Sequence, residues 1–307
     1  MDGVINTKKE KNFLQRIKSG ERLVSDGAMG TMLFERGLRP GECPEELNLS
    51  RPQIIQEVAT AYINAGADIV ETNTFGASSL KLADYKLQHR VQEINRAGVD
   101  IVRQAAKNTS TITYIAGTIG PTGKILKPYG DTDPALVRES YFQQIMTLIS
   151  SDVDIILMQT MSDLQEISLA VSASREAMQE WHKDIPLIVS LSFNSTPRGF
   201  FTMMGVSIEK AVKTLSELKV DVVGSNCGNG IDTMVNIAAE FRRHTDLPLM
   251  IESNAGLPDT KGGKLVYHQS PEMFFQKGQE LIDLGVNIIG GCCGSTPEHI
   301  MAIKKLL

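Results

Sequence analysis

The chain has 307 residues, of which 42% are hydrophobic and 22% are charged, and its formal net charge is −5. This composition is typical of a soluble globular enzyme, and the mild acidity argues against a nucleic-acid surface, which needs clustered lysine and arginine. No apolar run approaches the ~18 residues of a membrane span, and the polar N-terminus lacks a signal-peptide core. We therefore expect a cytoplasmic protein without a membrane partner, in which a cysteine cluster marks a metal or catalytic site more often than a disulfide.

Residues 1–20 are expected to form an N-terminal helical extension, followed by one domain over 21–307. Within that domain, eight short β-like runs alternate with longer helical patterns. The runs cover residues 22–26, 68–72, 112–118, 154–160, 187–193, 220–226, 248–253 and 286–291. Several are nearly continuous apolar stretches, as expected for parallel strands covered on both faces. Eight such units predict a single-domain α/β protein with the (β/α)₈ TIM-barrel fold rather than a doubly wound sheet.

Three long irregular segments, 35–50, 120–134 and 254–270, follow predicted strand ends. Loops of this length usually bind or cover something. In a TIM barrel they would crowd the catalytic face, which is built from the loops after the strands. We expect them to form the surface at which a partner meets the site.

Chemically active residues also stand at the predicted strand ends, and in a barrel they would converge on one rim. They are Asp26, the segment 71–77, Thr118, Gln159, Asn226, Cys227, Ser253, Asn254, Cys292 and Cys293. The alternative for Asp26 is a helix N-cap or a turn former. Among the five histidines, only His268 is kept as a possible site residue, because it lies in a strand-end loop.

Three of the four cysteines would come together in such a barrel: Cys227 after strand 6, and Cys292 with Cys293 after strand 8. Three thiolates with an open fourth position are typical of a catalytic zinc site. An open zinc can take a substrate thiol and hold it as a thiolate nucleophile. The alternative is that these cysteines are packing residues. Cys43, in a Pro/Gly loop, is expected to be a bystander.

The segments "DGAMGTML", "EELNLSRPQII", "AGADIVETNTFGAS", "GTIGPTG", "NAG" and "GGCCGSTPEHI" resemble the homocysteine S-methyltransferase family over residues 20–305. The similarity is greatest to the homocysteine-binding module of cobalamin-dependent methionine synthase. This resemblance implies a barrel with one catalytic Zn²⁺, and an EC 2.1.1 methyltransferase of methionine biosynthesis and one-carbon metabolism.

The resemblance also implies roles for individual residues. Cys227, Cys292 and Cys293 would be the zinc ligands and the catalytic set, and Asn254 would fill the open position. Asp26 would contact the amino group of the substrate, and the backbone N–H of Gly27 its carboxylate. Further candidate substrate contacts are Asn73, Gln159 and Asn226.

Two departures from the family pattern bear on the substrate and the donor. Family members carry a glutamate where this chain has Gln159, and a neutral amide brings no charge to an ammonium group. Homocysteine is therefore expected to bind weakly, or a thiol without an amino group to be preferred. The printed chain also has no folate or cobalamin module, so the expected methyl donor is a methylcobamide on a separate corrinoid protein, or a small molecule.

Three functions stay open at this point. The first is zinc-dependent methyl transfer to a thiol, with homocysteine as the default acceptor. The second is methyl transfer to another thiol, or demethylation of a methylated substrate onto a corrinoid protein. The third is a zinc-binding barrel without turnover, which an open fourth position argues against.

Overall fold

A computed structural model describes residues 12–107, 109, 112–261 and 264–307 of the protein. Eight parallel strands form one sheet, and two short hairpins stand outside it. The strands are β1 (Leu23–Val24), β2 (Ile69–Glu71), β3 (Tyr114–Ile119), β4 (Ile155–Met161), β5 (Leu187–Leu191), β6 (Asn194–Thr196), β7 (Gly199–Phe201), β8 (Val222–Gly230), β9 (Leu249–Asn254), β10 (Asp259–Lys261), β11 (Lys264–Val266) and β12 (Ile288–Gly291).

The eight-stranded sheet closes on itself. Its order is β1–β12–β9–β8–β5–β4–β3–β2, and a parallel bridge between Ser25 and Ile69 joins the two ends. Each of the eight predicted runs overlaps one barrel strand. The single-domain (β/α)₈ barrel is therefore confirmed.

Helices surround the barrel and cover its outer face. They are α1 (Phe13–Lys18), α2 (Gly30–Glu35), α3 (Leu47–Ser50), α4 (Pro52–Asn64), α5 (Ser79–Leu82), α6 (Val91–Lys107), α7 (Pro134–Ser150), α8 (Leu164–Glu180), α9 (Ile208–Glu217), α10 (Ile231–His244), α11 (Pro271–Asp283) and α12 (Pro297–Lys304). α4 shows how the sequence forms them: it starts at Pro52, whose fixed φ suits the first helical turn, and it buries its apolar stripe against the barrel. No helix in the described ranges is long and apolar enough to cross a membrane.

The amino-terminal end of the barrel is closed by α1. Asn12 caps this helix, and Phe13 and Ile17 pack against the apolar side chains inside the barrel. The ring of Phe13 meets Tyr114 edge-on, with the centroids 5.5 Å apart. Residues 1–11 of the predicted N-terminal extension lie outside the described residues.

The long segments after the strands are more ordered than the sequence indicates. Segment 35–50 contains a 3₁₀ turn, Pro44–Glu46, followed by α3. Segment 254–270 contains the hairpin β10–β11, and residues 262 and 263 of this segment lie outside the described residues. A second hairpin, β6–β7, follows β5 and was not predicted, because its strands are short and fully or partly exposed.

Candidate active site

The inward-facing side chains of the barrel change from apolar to polar along the strands. Alternate residues of a strand share a face. At the amino ends the inward residues are apolar: Leu23, Ile69, Tyr114, Ala116, Ile155, Leu157, Ile188, Val222, Met250 and Ile288. Further along the same faces the side chains are polar. We call these seven residues the polar layer: Ser25, Glu71, Thr118, Gln159, Ser190, Asn226 and Glu252.

Most of the polar layer is linked by hydrogen bonds. Gln159 Nε2 donates to the carboxylate of Glu71, and Gln159 Oε1 accepts from Asn226 Nδ2 at 3.0 Å. Asn226 Oδ1 in turn accepts from Ser190 Oγ at 2.9 Å, and Thr118 Oγ1 donates to Glu71 Oε2 at 3.2 Å. Both ends of the Gln159 amide are thus engaged within the layer.

Above the polar layer, three cysteines converge from two strands. Cys227 lies in β8, and Cys292 and Cys293 directly follow β12. Their Sγ atoms all lie within 4.8 Å of one another, and the Sγ atoms of Cys227 and Cys293 are 3.7 Å apart. Two sulfur ligands of a tetrahedral zinc ion, each about 2.3 Å from the metal, lie about 3.8 Å apart. The donor set and its spacing therefore fit zinc.

The strand tips around this cluster are distorted. Pairing of β8 with β9 shifts register between Asn226 and Gly230, and Cys227 has a left-handed φ of 61°. Pairing of β4 with β5 also shifts, after Met158, and Thr160 has a φ of 58°. Such conformations are costly for residues other than glycine. Bulges at strand ends redirect side chains. The irregularity in β8 directs Cys227 towards the two cysteines after β12.

The three thiols share their protons. Hydrogen bonds from Cys292 and Cys293 lower the pKa of Cys227 to about 3. The same contact to Cys227 raises the pKa of Cys293 to about 11 and raises that of Cys292 as well. The cluster thus holds one thiolate, on Cys227, beside two thiols that must lose their protons if a metal ion is to bind all three sulfurs.

Several polar atoms at the carboxyl-terminal end of the barrel interior are unpaired. The Oδ1 atom of Asn254, at the end of β9, is buried without a hydrogen-bond partner. The same is true of Asp26 Oδ1 and both carboxylate oxygens of Glu252. Buried polar groups in proteins are almost always paired. The unpaired oxygens of Asp26, Glu252 and Asn254, which follow or lie in the carboxyl-terminal parts of β1 and β9, therefore indicate a place that a ligand completes.

Three carboxyl groups lie at this end of the barrel interior: Asp26 and Glu252 are buried, and Glu71 is half-buried. Burial, and the neighbouring charge of Glu71, raise the pKa of Asp26. Burial also raises the pKa of Glu71, and burial with the charges of Glu71 and Asp26 raises that of Glu252. Each of these groups is thus destabilised in its charged form unless a cation is nearby.

The loop after β1 is pressed against the loop that carries Cys292 and Cys293. Asp26 O accepts from Gly291 N at 2.9 Å, and Asp26 Oδ2 accepts from Glu71 N at 2.9 Å. A Cβ on Gly27 would lie 2.7 Å from Ser295 Oγ, so only glycine fits there. Within the part of the chain that the structure describes, the Gly27 N–H has no acceptor, which leaves it available to a ligand.

Tyr267, which the sequence did not single out, covers the cysteines from the hairpin side. A Cβ on Gly294 would lie 2.1 Å from the ring of Tyr267, so the ring packs flat on that glycine. Burial and the three cysteines raise the pKa of Tyr267 to about 12. The ring therefore stays neutral beside the sulfurs.

The structure gives other contacts to three residues discussed from the sequence. Asn73 Nδ2 donates to Pro44 O and to Asn48 Oδ1, so this amide anchors the loop after β1, and its role as a substrate contact stays a prediction. Cys43 is buried apart from the three-cysteine group, with its Sγ 3.3 Å from Glu45. His268 contacts Asp259 on the exposed hairpin.

A family model described as homocysteine S-methyltransferase matches residues 23–307. The chain belongs to the homocysteine S-methyltransferase family. This assignment agrees with the resemblance drawn from the sequence motifs.

Two individual relatives agree with the assignment. The chain is 32% identical over 293 residues to a methionine synthase of Mycobacterium leprae and 32% over 291 residues to that of Mycobacterium tuberculosis. Each alignment covers 92% of this chain, and the chain spans only 24% of either relative's length.

Among solved structures, the barrel is similar to the homocysteine methyltransferase MmuM from Escherichia coli. The oxidized form gives a TM-score of 0.77 at 20% identity and covers 97% of this chain and 100% of that one. The metallated form gives 0.74 at 21% identity, over 94% and 96%. At this identity the similarity supports the fold.

Proposed function

We propose that this protein is a zinc-dependent methyltransferase that transfers a methyl group to the thiol of homocysteine. The observation that carries the proposal is the group of three cysteine sulfurs at one end of a barrel of this family. The spacing of those sulfurs suits a tetrahedral ion, and Asp26 and Gly27 lie in the adjacent loop with unpaired polar atoms.

Cys227, Cys292 and Cys293 would hold the zinc ion, and the unpaired Oδ1 of Asn254 is the candidate for the fourth ligand. When bound, zinc accepts a substrate thiol and lowers its pKa, so that the sulfur is a thiolate at neutral pH. The Asp26 carboxylate would accept hydrogen bonds from the substrate's ammonium group, and the Gly27 N–H would donate to its carboxylate. Tyr267 would exclude water.

In the transfer itself, a lone pair of the substrate sulfur forms the new bond to the methyl carbon. The bond between the methyl group and its donor breaks, and that bonding pair leaves with the donor. The protein contributes orientation. Because it fixes the two reactants in line, they lose less translational and rotational entropy on the way to the transition state.

The proposed donor is a methylcobamide carried on a separate corrinoid protein, which would meet the barrel at its rim. Large apolar side chains are exposed on two of the rim segments: Ile125 and Tyr129 on 120–134, and Leu257 on 254–270. Exposed apolar patches mark surfaces that bind proteins. These residues would therefore contact the donor protein.

A second candidate is transfer to or from a compound without an amino group, which the neutral Gln159 favours. A third is a barrel that binds zinc without turnover. The unpaired Oδ1 atoms of Asp26 and Asn254 disfavour the third, since a site with a purely structural role would be expected to satisfy its buried polar atoms.

The test is a product assay of the zinc-loaded protein. Homocysteine and 4-mercaptobutanoate, which lacks the amino group, are each incubated with a methylated corrinoid protein, free methylcobalamin, a sulfonium or a betaine. We expect methionine, detected by mass spectrometry, with the corrinoid protein as donor. Methylation of 4-mercaptobutanoate alone would favour the second candidate, and no methylated thiol with any donor would contradict the proposal.

A further inference from the structure

We propose that Glu252 is a specificity-determining residue that binds the ammonium group of the thiol substrate together with Asp26. This inference rests on the proposed function and deepens it. It states how the site would distinguish an amino-acid thiol from a thiol without an amino group.

Glu252 is the one carboxylate of the polar layer without a hydrogen bond, and the hydroxyl of its neighbour Ser25 is unpaired as well. Its side chain is 1% exposed, yet neither carboxylate oxygen has a hydrogen-bond partner. The Glu71 carboxyl and the Ser25 hydroxyl lie close enough to Glu252 to shift its pKa, and neither carries a positive charge. The other charged member of the layer, Glu71, accepts from both Gln159 and Thr118.

The surroundings of Glu252 lack a positive charge. The charged groups that act on it are Glu71 and Asp26, and both are acidic. Among the ion pairs of the described residues, none includes Asp26, Glu71 or Glu252. A buried charge without a counter-charge is strongly unfavourable. A cationic ligand group placed here would offset that penalty.

The strand geometry places Glu252 at a suitable depth below the cysteines. Met250 faces the barrel interior, so Glu252 and Asn254 on the same strand face it too. Glu252 thus lies one layer, about 6.6 Å along the strand, below Asn254. In extended homocysteine, three carbons separate the sulfur from the amino nitrogen, a span of about 5 Å. A substrate with its sulfur at the cysteines can therefore bring its ammonium group to the level between Asp26 and Glu252.

A gap in the barrel wall leaves room for this side chain. Glu252 pairs with Gly290 on β12. A Cβ on that glycine would lie 3.2 Å from Glu252 Cγ and 2.7 Å from Ser25 Cβ. The missing side chain lets Glu252 lean towards β1, where Asp26 follows.

A metal ion is a poorer occupant than an ammonium group. Among the described residues, the three cysteines form the one group of three or more His, Cys, Asp or Glu side chains whose ligand atoms all lie within 4.8 Å of one another. Asp26, Glu71 and Glu252 do not form such a group. The three carboxylates are therefore too far apart to be ligands of one ion. An ammonium group needs only two or three oxygen acceptors within hydrogen-bonding distance.

This inference changes the expectation drawn from Gln159 alone. The amide of Gln159 is hydrogen-bonded to both Glu71 and Asn226. A glutamate at position 159 would place a second carboxylate against that of Glu71. The charge that position 159 lacks is supplied instead from β9 by Glu252.

The test compares two thiols by calorimetric titration of the zinc-loaded protein. We expect wild type to bind homocysteine at least about tenfold more tightly than 4-mercaptobutanoate, because a charged hydrogen bond exceeds a neutral one by roughly that factor. Glu252→Gln, which keeps the shape, should lower this ratio about tenfold and leave the affinity for 4-mercaptobutanoate unchanged or higher.

The matched control is Asp68→Asn, which removes a buried carboxylate at the opposite end of the barrel, where Asp68 pairs with Lys304. It should lower stability and leave the ratio unchanged. If Glu252 instead shares a proton with Glu71 in a structural role, Glu252→Gln will leave the ratio unchanged, and the inference is wrong while the proposed function stands. A wild-type ratio near one would also overturn it. Failure of both thiols to bind would overturn the proposed function as well.

Discussion

Replacing Cys292 with alanine should remove zinc from the protein and abolish methyl transfer while the barrel stays folded. Loss of an outer-shell partner of a metal ligand alone weakens metal binding about ten- to hundredfold, so loss of one of three thiolates should exceed that range. The backbone N–H of Cys292 donates to Ser253 O at 2.7 Å, and alanine keeps this bond. Zinc content by atomic emission after dialysis against a weak chelator is the measurement.

The control for this substitution is Cys43→Ala. Cys43 is also a free cysteine, but it is buried and lies outside the three-sulfur group. It should keep one zinc ion per chain and full activity. Circular dichroism of both variants verifies the fold. A tightly bound, stoichiometric zinc ion in Cys292→Ala would refute the assignment of the ligands.

The substitution Asp26→Asn should weaken homocysteine binding by roughly ten- to hundredfold. Asp26 Oδ2 accepts from Glu71 N, while Oδ1 is unpaired. Asparagine would keep its single oxygen on the Glu71 N–H and turn its NH₂ group towards the ligand. A whole charged hydrogen bond, worth about 1.5–3 kcal/mol, is then lost. Titration with homocysteine measures the effect, and binding of 4-mercaptobutanoate is the internal control.

The same substitution should not destabilise the protein at neutral pH. The pKa of Asp26 is raised in the folded state, so folding is favoured at low pH and this contribution is lost as the pH rises through the folded pKa. Asparagine has no such dependence. Urea unfolding should therefore show the variant at least as stable as wild type at pH 7.5, with a smaller difference at pH 5. A large loss of stability at pH 7.5 would mean that Asp26 is chiefly structural.

The parts of the fold that the sequence predicts are those set by periodic patterns. Apolar runs of strand length, separated by helical stripes, locate all eight barrel strands. Cys227, Cys292 and Cys293 converge as predicted because parallel strands of a closed barrel end at one rim. Their sequence separation is then irrelevant to their distance in space.

The sequence does not predict three features of the site, because they depend on strand register and loop conformation. They are the positions of Glu252 and Tyr267 and the anchoring role of Asn73. The run 248–253 is buried on both faces, so its pattern cannot show which residues face the interior, and only pairing with Gly290 places Glu252 beside Ser25. Tyr267 reaches the cysteines through a hairpin that has no periodic signal. The side chain of Asn73 donates a hydrogen bond to Asn48, which lies in the long segment after β1.

Gln159 shows that a departure from a family pattern at one position has to be interpreted within the whole fold. From the sequence it indicates a missing charge. In the fold it is one link in a hydrogen-bonded layer that already contains Glu71. Charge in a barrel interior is a property of the whole layer, to which every strand contributes, and it is not read from one strand.

The central claim is that the three cysteines hold a zinc ion to which the substrate sulfur is added. X-ray absorption at the zinc edge tests it most directly, because the number of sulfur neighbours near ~2.3 Å can be counted with and without substrate. We expect three sulfur neighbours and one lighter atom in the resting protein, and four sulfur neighbours after addition of homocysteine. An unchanged count of sulfur neighbours, or zinc bound without three of them, would contradict the account.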